Sequence, residues 1–241
     1  MSLRTRRDHR RAALLALALL AMCAAGCKPA KRLRVHFLRG IVPGSEHIFD
    51  ARRIAVAPAA GKYADGRFTV GAIYTANGGV ERYLYVHHLG GIVTASVARA
   101  LVGAGLRPVP SGAAAPGAKS QPPPDFVLAT EIEAVETNKR FGSEQTLHGQ
   151  YFTMKSLIRL KFTLLSPAET PLYQGEMIGT EEEPPAPVAK EVFLPLETEP
   201  AESLSVAMSR AVGALMLRPE LHRILALKTG GSPPAMPAPA P

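Results

Sequence analysis

The sequence predicts an α+β fold, with two layers in which amphipathic helices pack on one face of a mainly antiparallel sheet. Segments with a hydrophobic period of two occur both before and after a segment of helical period that starts near residue 88. In the second half, two such extended segments are joined by a short turn, which is typical of a hairpin. Single amphipathic helices between runs of strands favour two layers.

The composition is that of one globular domain with short additions. The 241 residues are 46% hydrophobic and 20% charged, which is enough apolar material for a core and too much for a fully disordered chain. The 22 prolines and 21 glycines are concentrated in a few stretches, which we interpret as linkers. Both cysteines, Cys23 and Cys27, lie in the first 27 residues, which excludes a cysteine zinc site or disulfide framework in the body of the protein.

The first half of the chain predicts short strands. Leu33, Val35 and Phe37 alternate with polar residues, as in a half-buried strand, and residues 53–58 repeat this pattern and end at a proline. Residues 68–74 and 80–86 flank an Asn-Gly pair, which accepts positive φ, so we expect a hairpin or an ordered loop there.

The hydrophobic spacing becomes helical at residue 88. The apolar residues at i, i+3 and i+4 positions are Leu89, Ile92, Val93, Val97, Ala100, Leu101 and Ala104, and Gly105 follows where a helix-ending glycine belongs. This predicts an amphipathic helix of four to five turns. Residues 111–124 contain four prolines and are expected to form a disordered insertion.

The second half predicts three long strands and two more helices. The strands are expected at residues 126–132, 157–164 and 172–180, followed by a polar loop at residues 181–187. A helix that Thr198 can cap, with Pro200 in its first turn, places Leu204, Met208, Ala211 and Leu215 on one face. A short helix from Pro219 follows, and residues 229–241 are expected to be a disordered Pro/Ala tail.

The first 26 residues have the pattern of an export signal. Five arginines precede residues 12–22, an unbroken run of apolar and small residues. Counted through Gly26, the apolar stretch is 15 residues, about 22 Å as a helix against a hydrocarbon core of roughly 30 Å, so it is too short to span a membrane comfortably. Residues 1–26 are therefore expected to be a signal peptide.

The signal ends in Ala24-Ala25-Gly26-Cys27, which resembles the lipobox of bacterial lipoproteins. The resemblance implies cleavage before Cys27, a diacylglycerol on its thiol and a third acyl chain, such as palmitate, on its amine. It also implies an outer-membrane location on the periplasmic face, because an inner-membrane lipoprotein carries Asp where this chain has Lys28. The alternative is ordinary signal-peptidase cleavage, which leaves a secreted protein with a free thiol.

The basic excess lies beside this cysteine. Residues 1–26 have five positive charges and one negative charge, and residues 28–53 have seven positive charges and two negative charges. Because the net charge of the chain is +8, residues 54–241 have a net charge of −1. This distribution does not fit a nucleic-acid surface. Residues 27–50 are expected to form a lipid-anchored basic tether to a domain at residues 51–228, with anionic lipid head groups near Lys28, Lys31, Arg32 and Arg34. A solvated tether without specific contacts is the alternative.

The common catalytic and nucleotide-binding motifs are absent from the sequence. His87 and His88 are adjacent, so on a strand they would point to opposite faces and could not easily share one metal ion. Asp65 and Arg67 are interpreted as a turn held by a local ion pair. We therefore predict no catalytic residue, metal ligand or cofactor.

Two clusters of glutamates are also explained by structure and need no catalytic role. Glu131 and Glu133 are expected on one solvated face of a strand, and residues 181–183 in a solvated loop. An envelope enzyme that uses Asp65, His87 or Glu131 is kept as a less favoured hypothesis.

Several segments resemble a known group of proteins. Residues 54–57, the Asp65-Gly66-Arg67 turn, Val70-Gly71, Asn77-Gly78-Gly79 and the helix that ends at Gly105 resemble, in that order, the YajG-type bacterial lipoproteins. Residues 124–128 resemble a strand opening that this group shares with PqiC-type ABC-transport auxiliary lipoproteins. The resemblance covers roughly residues 50–227, and the insertion before Asp125 and the acidic segment depart from it.

The resemblance implies a non-enzymatic role. We expect a lipid-anchored periplasmic module that binds or scaffolds in cell-envelope maintenance, held in the membrane through acyl chains on Cys27 and working with an envelope protein partner. The alternative is an auxiliary subunit of an ABC-type lipid or solute transport system.

Overall fold

The computed structural model describes residues 30–42, 49, 52–111, 123–142, 151–187 and 200–226. Within these ranges the strands are β1 (Ala30–Arg32), β2 (Arg53–Val56), β3 (Arg67–Tyr74), β4 (Val80–His87), β5 (Arg107–Pro110), β6 (Phe126–Phe141), β7 (Tyr151–Leu165) and β8 (Pro171–Pro187). The helices are α1 (Leu89–Gly103), α2 (Pro200–Met216) and α3 (Pro219–Ala226). The predicted signal peptide, Cys27, Lys28, most of the 111–124 insertion and the predicted tail lie outside the described residues.

All eight strands join one sheet, and β6 is its central member. One edge of β6 pairs antiparallel with β7, which pairs antiparallel with β8. The other edge pairs in parallel with β2 at one end and with β3 at the other. Beyond these, β5 is parallel to β2, β4 is antiparallel to β3, and β1 is parallel to β4.

The α+β class is confirmed, but the expectation of a mainly antiparallel sheet is wrong because the sheet is mixed. Four of its pairings are parallel: β1 with β4, β2 with β5, β2 with β6 and β3 with β6. The local hairpin of β3 and β4 and the β7–β8 hairpin were visible in the sequence. Parallel neighbours are distant in sequence, and a period of two does not reveal which strand lies beside which.

The helices bury the stripes that their periodicity predicts. On α2, Leu204, Met208, Ala211 and Leu215 are fully buried, and on α1 Val93 and Val97 are fully buried. Helix α2 packs on β6, β7 and β8, while α1 packs on β2, β5 and α2. Gly179 allows close approach here, because a Cβ on it would lie 1.7 Å from the carbonyl oxygen of Ala207.

The folded domain begins earlier than residue 51. Leu33 and Val35 are buried beyond β1, and the backbone N–H groups of His36 and Leu38 donate hydrogen bonds to Ser205 Oγ and Ser209 Oγ of α2, at 3.1 and 2.8 Å. The described part of the expected tether, residues 30–42, is therefore part of the domain. The strand expected at Leu33, Val35 and Phe37 is displaced toward the N-terminus: β1 covers Ala30–Arg32, and after the Leu33 N–H donates to the Tyr85 carbonyl at 2.8 Å the chain leaves β4 and packs on α2.

Residues 181–187 belong to β8 and not to a loop. Strand β7 continues far enough to pair with them, from Ser156 opposite Glu181 to Tyr151 opposite Pro187. Within the described strands, β8 has a paired neighbour on one side only, and prolines are tolerated on such an edge because they need not donate a ladder hydrogen bond.

Candidate membrane-proximal surface

Five side chains share the outer face of β1, β4 and β3, and we call them the anchor-side patch: Arg32, Arg67, Tyr83, Tyr85 and His87. Arg32 lies opposite Tyr85 across the β1–β4 pair, and Arg67 lies opposite His87 across the β3–β4 pair. Residues opposite each other in paired strands point to the same side, and alternate residues of β4 share a side. Leu84 and Val86, the intervening residues, are buried, so the patch faces outward.

The patch side chains contact one another. The guanidinium carbon of Arg67 lies 3.9 Å from the ring centroid of Tyr85, and the Tyr85 and His87 rings meet edge to face with centroids 5.4 Å apart. Tyr83 keeps 43% of its surface exposed. A cation over an aromatic face is attracted by about 0.5–1 kcal/mol at an exposed site, so Arg67 is oriented while its charge stays at the surface.

The positive charges of the patch lie close enough to His87 to affect its pKa. Partial burial lowers the pKa of His87, and the positive charges of Arg32, Arg67 and His88 lower it further. Within the described residues, neither Arg32 nor Arg67 has a carboxylate within ion-pair distance. Glu81 occupies the same face of β4 at its other end and is exposed. The patch therefore has a local excess of positive charge.

The outer face of β6, β7 and β8 is different. There Lys155 pairs with Glu182 at 3.2 Å, Arg159 with Glu176 at 3.0 Å, and Lys161 with Glu131 at 4.0 Å. These exposed pairs balance charge across neighbouring strands. The unbalanced cations are therefore on the β1 side of the same sheet.

The basic residues expected to contact lipid differ in exposure. Arg32 and Arg34 are exposed, whereas Lys31 is partly buried and lies opposite the core residue Leu84. Tyr83 and Tyr85 were missed by sequence reasoning, which assigned Arg67 to a turn with Asp65. The hairpin that carries them was predicted, but no local signal showed that β1 would pair with it.

The two histidines lie where β4 meets α1. His87 is the last residue of β4, and His88 has a left-handed backbone (φ 49°) at the start of α1. Their ring centroids are 6.1 Å apart. Across the described ranges, no three His, Cys, Asp or Glu side chains are grouped as metal ligands would be.

The other candidate residues are separated from one another. Asp65 is exposed, and the ion pair expected between it and Arg67 is absent among the described side chains, because Arg67 lies over Tyr85 instead. Glu131 pairs with Lys161 at 4.0 Å, and Glu133 is the extra residue of a bulge between Ile132 and Ala134.

Asp65 borders a second feature, an open groove of about 600 Å³ where β2 and β5 end beside the first turns of α1. Its walls are mainly apolar and include Val56, Pro108 and Ala98. Thr94 also lines the groove, and its Oγ1 accepts a hydrogen bond from the Ala59 N–H and donates one to the Gly90 carbonyl, both at 2.8 Å. That hydroxyl therefore holds the α1 turn to the end of β2.

Within the described ranges, no helix is both long enough and apolar enough to cross a membrane.

No protein-family model and no curated protein sequence matches this chain. Three solved structures show limited likeness. A Xanthomonas campestris protein of the DUF330 family has a TM-score of 0.44 at 11% identity, covering 78% of this chain and 92% of that one. A Caulobacter crescentus protein, provisionally described as a lipoprotein, has a TM-score of 0.37 at 10% identity, covering 73% and 92%.

The third is a Helicobacter pylori protein, provisionally described as a homologue of the neuraminyllactose-binding hemagglutinin, with a TM-score of 0.34 at 10% identity, covering 80% of this chain and 94% of that one. All three TM-scores are below 0.5, so the likeness assigns neither a family nor a function to this chain. The resemblance to YajG-type lipoproteins stays a hypothesis from the sequence.

Proposed function

We propose that this protein is a lipoprotein of the bacterial cell envelope, acylated at Cys27, whose domain acts as a non-catalytic binding or scaffolding module in envelope maintenance. The small residues before Cys27 and the basic, apolar signal support the anchor. Lys28 favours the outer membrane, on the periplasmic face. Two or more acyl chains hold a protein stably at a bilayer, since each buried methylene contributes about 0.8 kcal/mol.

The observation that carries this proposal is the position of the first described strand. Strand β1 starts at Ala30, three residues after Cys27. Three extended residues reach about 10 Å, so an acylated Cys27 would hold β1 close to the lipid head groups. The cations and tyrosines of the anchor-side patch lie at that same edge of the sheet.

Globomycin, which blocks signal cleavage of lipoproteins, tests the anchor in living cells. We expect treated cells to accumulate a membrane-bound precursor that still carries residues 1–26, and a Cys27→Ala variant, which has no thiol to acylate, to retain residues 1–26 without the drug. A Cys23→Ala variant is the matched control and should be processed normally. Release of a soluble, cleaved product in the presence of globomycin would contradict the proposal.

A second candidate role is that of an auxiliary subunit in an ABC-type lipid or solute transport system. The groove beside α1 favours it, because its apolar walls and volume of about 600 Å³ suit an apolar group of a partner or cargo. Crosslinking in native membranes tests it: an ABC or substrate-binding component should be recovered with the protein. Recovery of other envelope proteins alone would count against this role.

A further inference from the structure

We infer that the anchor-side patch is a second membrane contact, which docks on anionic phospholipid head groups and turns the outer face of β1, β4 and β3 toward the bilayer that holds Cys27. The inference rests on the proposed acylation and adds a partner for the folded surface: the phosphate groups of anionic lipids. It also gives the domain an orientation, since an acyl anchor alone would leave the domain free to rotate.

The first argument is distance. Ala30 lies opposite Tyr83 in the parallel pair of β1 with β4. Three residues span at most about 10 Å, so Cys27 lies within that distance of Ala30, whose partner Tyr83 is the nearest member of the patch along β4. Tyr85 and His87 follow on the same face at intervals of roughly 7 Å, twice the rise per residue of a strand.

The second argument is charge. Arg32, Arg34 and Arg67 are all exposed, and in the described part of the chain none of them has a carboxylate within ion-pair distance. Each basic residue near an anionic membrane surface contributes about 1 kcal/mol of attraction. The pairs on β6, β7 and β8 show that the same sheet balances its charge where it faces water, so an unbalanced cluster beside the anchor calls for an external anion.

The third argument is the kind of aromatic residue. Tyr83 is among the large apolar side chains that the described surface leaves exposed, at 43%. Tyrosine has an apolar ring and a polar hydroxyl, and such side chains are enriched at the head-group level of membranes. Tyr85 supports Arg67 from below, so the guanidinium is presented outward beside a ring that tolerates the interface.

A fluorescence experiment on the complete lipidated protein tests this docking. The chain contains no tryptophan, so Tyr83→Trp introduces a single reporter. The variant is purified from membranes and reconstituted into vesicles of phosphatidylcholine with or without phosphatidylglycerol, each containing a lipid brominated near the head group. We expect stronger quenching in the vesicles that contain phosphatidylglycerol.

Charge reversals in the same reporter background identify the patch. Arg67→Glu and Arg32→Glu should each lower the ratio of docked to undocked protein by about fivefold or more, because each removes an attraction of about 1 kcal/mol. Arg99→Glu is the matched control, since Arg99 is an exposed arginine on α1. Its tryptophan fluorescence should be quenched as strongly as that of the Tyr83→Trp protein.

Three results would overturn the inference: equal quenching in both vesicle types, an Arg99→Glu loss as large as that of Arg67→Glu, or docking that survives both patch reversals. Circular dichroism melting of each variant shows that it is folded. The mass of the N-terminal peptide separates failure of the anchor from failure of the patch. If Cys27 is unmodified, co-sedimentation of the same protein with the two vesicle types still tests the patch directly.

Discussion

At the residue scale, the close packing of α2 on the sheet depends on a glycine in β8. A Cβ at position 179 would lie 1.7 Å from the Ala207 carbonyl oxygen and 2.8 Å from the Ala211 nitrogen. Both are backbone atoms of α2, so neither can turn aside as a flexible side chain would. Glycine at this position sets the distance between helix and sheet.

Gly179→Ala is therefore expected to destabilise the protein. Overpacking of a core costs about 1–3 kcal/mol, and we expect at least the upper part of this range because the backbone must move. Gly91→Ala is the control: its Cβ would meet nothing within 4 Å, and alanine favours a helix over glycine by up to about 1 kcal/mol. Urea unfolding measures both, and an unchanged midpoint for Gly179→Ala would show that the α2–β8 contact is looser than described.

His87 provides a second residue-scale prediction. Its pKa is lowered by partial burial and by Arg32, Arg67 and His88. Because the folded pKa lies below the unfolded value of about 6.5, the folded state loses stability relative to the unfolded state as pH falls below that value.

An NMR titration of the His87 ring measures this directly. We expect a pKa below its ordinary value, and a partial rise toward that value in Arg67→Gln, since burial and Arg32 remain. Arg99→Gln is the control and should leave the titration unchanged. An Arg67→Gln titration that matches the parent would contradict the proximity of Arg67 to the ring.

At the element scale, α2 holds the N-terminal segment as well as the sheet. Ser205 Oγ and Ser209 Oγ, one turn apart, accept the backbone N–H groups of His36 and Leu38. Each hydroxyl also donates to a carbonyl of its own helix, Ala201 or Ser205. Residues 36–38 thus run along α2 and are held to it by two serine side chains.

Replacement of both serines by alanine should loosen residues 36–38. Each of these hydrogen bonds contributes about 0.5–1.5 kcal/mol to stability. Once the bonds are lost, the backbone amides of His36 and Leu38 should exchange with solvent faster. Ser96→Ala is the control, because Ser96 Oγ donates to the Ile92 carbonyl of its own helix and holds no backbone N–H of residues 36–38. Unchanged amide exchange at both positions would refute the role of the serines.

Local sequence patterns predicted most elements of the fold. The stripe of α1, the start of α2 at Pro200 and the β3–β4 hairpin are all where periodicity and turn residues placed them. The parallel pairings, the inclusion of residues 30–42 and the extension of β8 through Pro187 were missed. The first two depend on partners far along the chain, and the third depends on how far β7 continues; spacing within a segment carries no information about either.

In the candidate site, too, local sequence predicted some residues, and others depended on strand pairing. Arg32 and Arg34 were chosen because they lie near Cys27 in sequence. Arg67, Tyr83 and Tyr85 join them only because β1 pairs with β4, 53 positions away at Ala30 and Tyr83.

At the scale of the whole molecule, charge and topology together define an orientation. The sequence beyond residue 53 has a net charge of −1, yet the sheet edge nearest Cys27 is cationic while β6, β7 and β8 pair their charges. The helices cover the opposite face of the sheet. An acylated Cys27 would thus place the bilayer beside β1 and leave the groove at the ends of β2 and β5 for a ligand or partner.

The mass of the N-terminal peptide of the protein recovered from bacterial membranes is the most direct test of this account. The account predicts a peptide that begins at Cys27, with a diacylglyceryl group on its sulfur and an acyl chain on its amine. An unmodified thiol at Cys27, or residues 1–26 still attached, would contradict it.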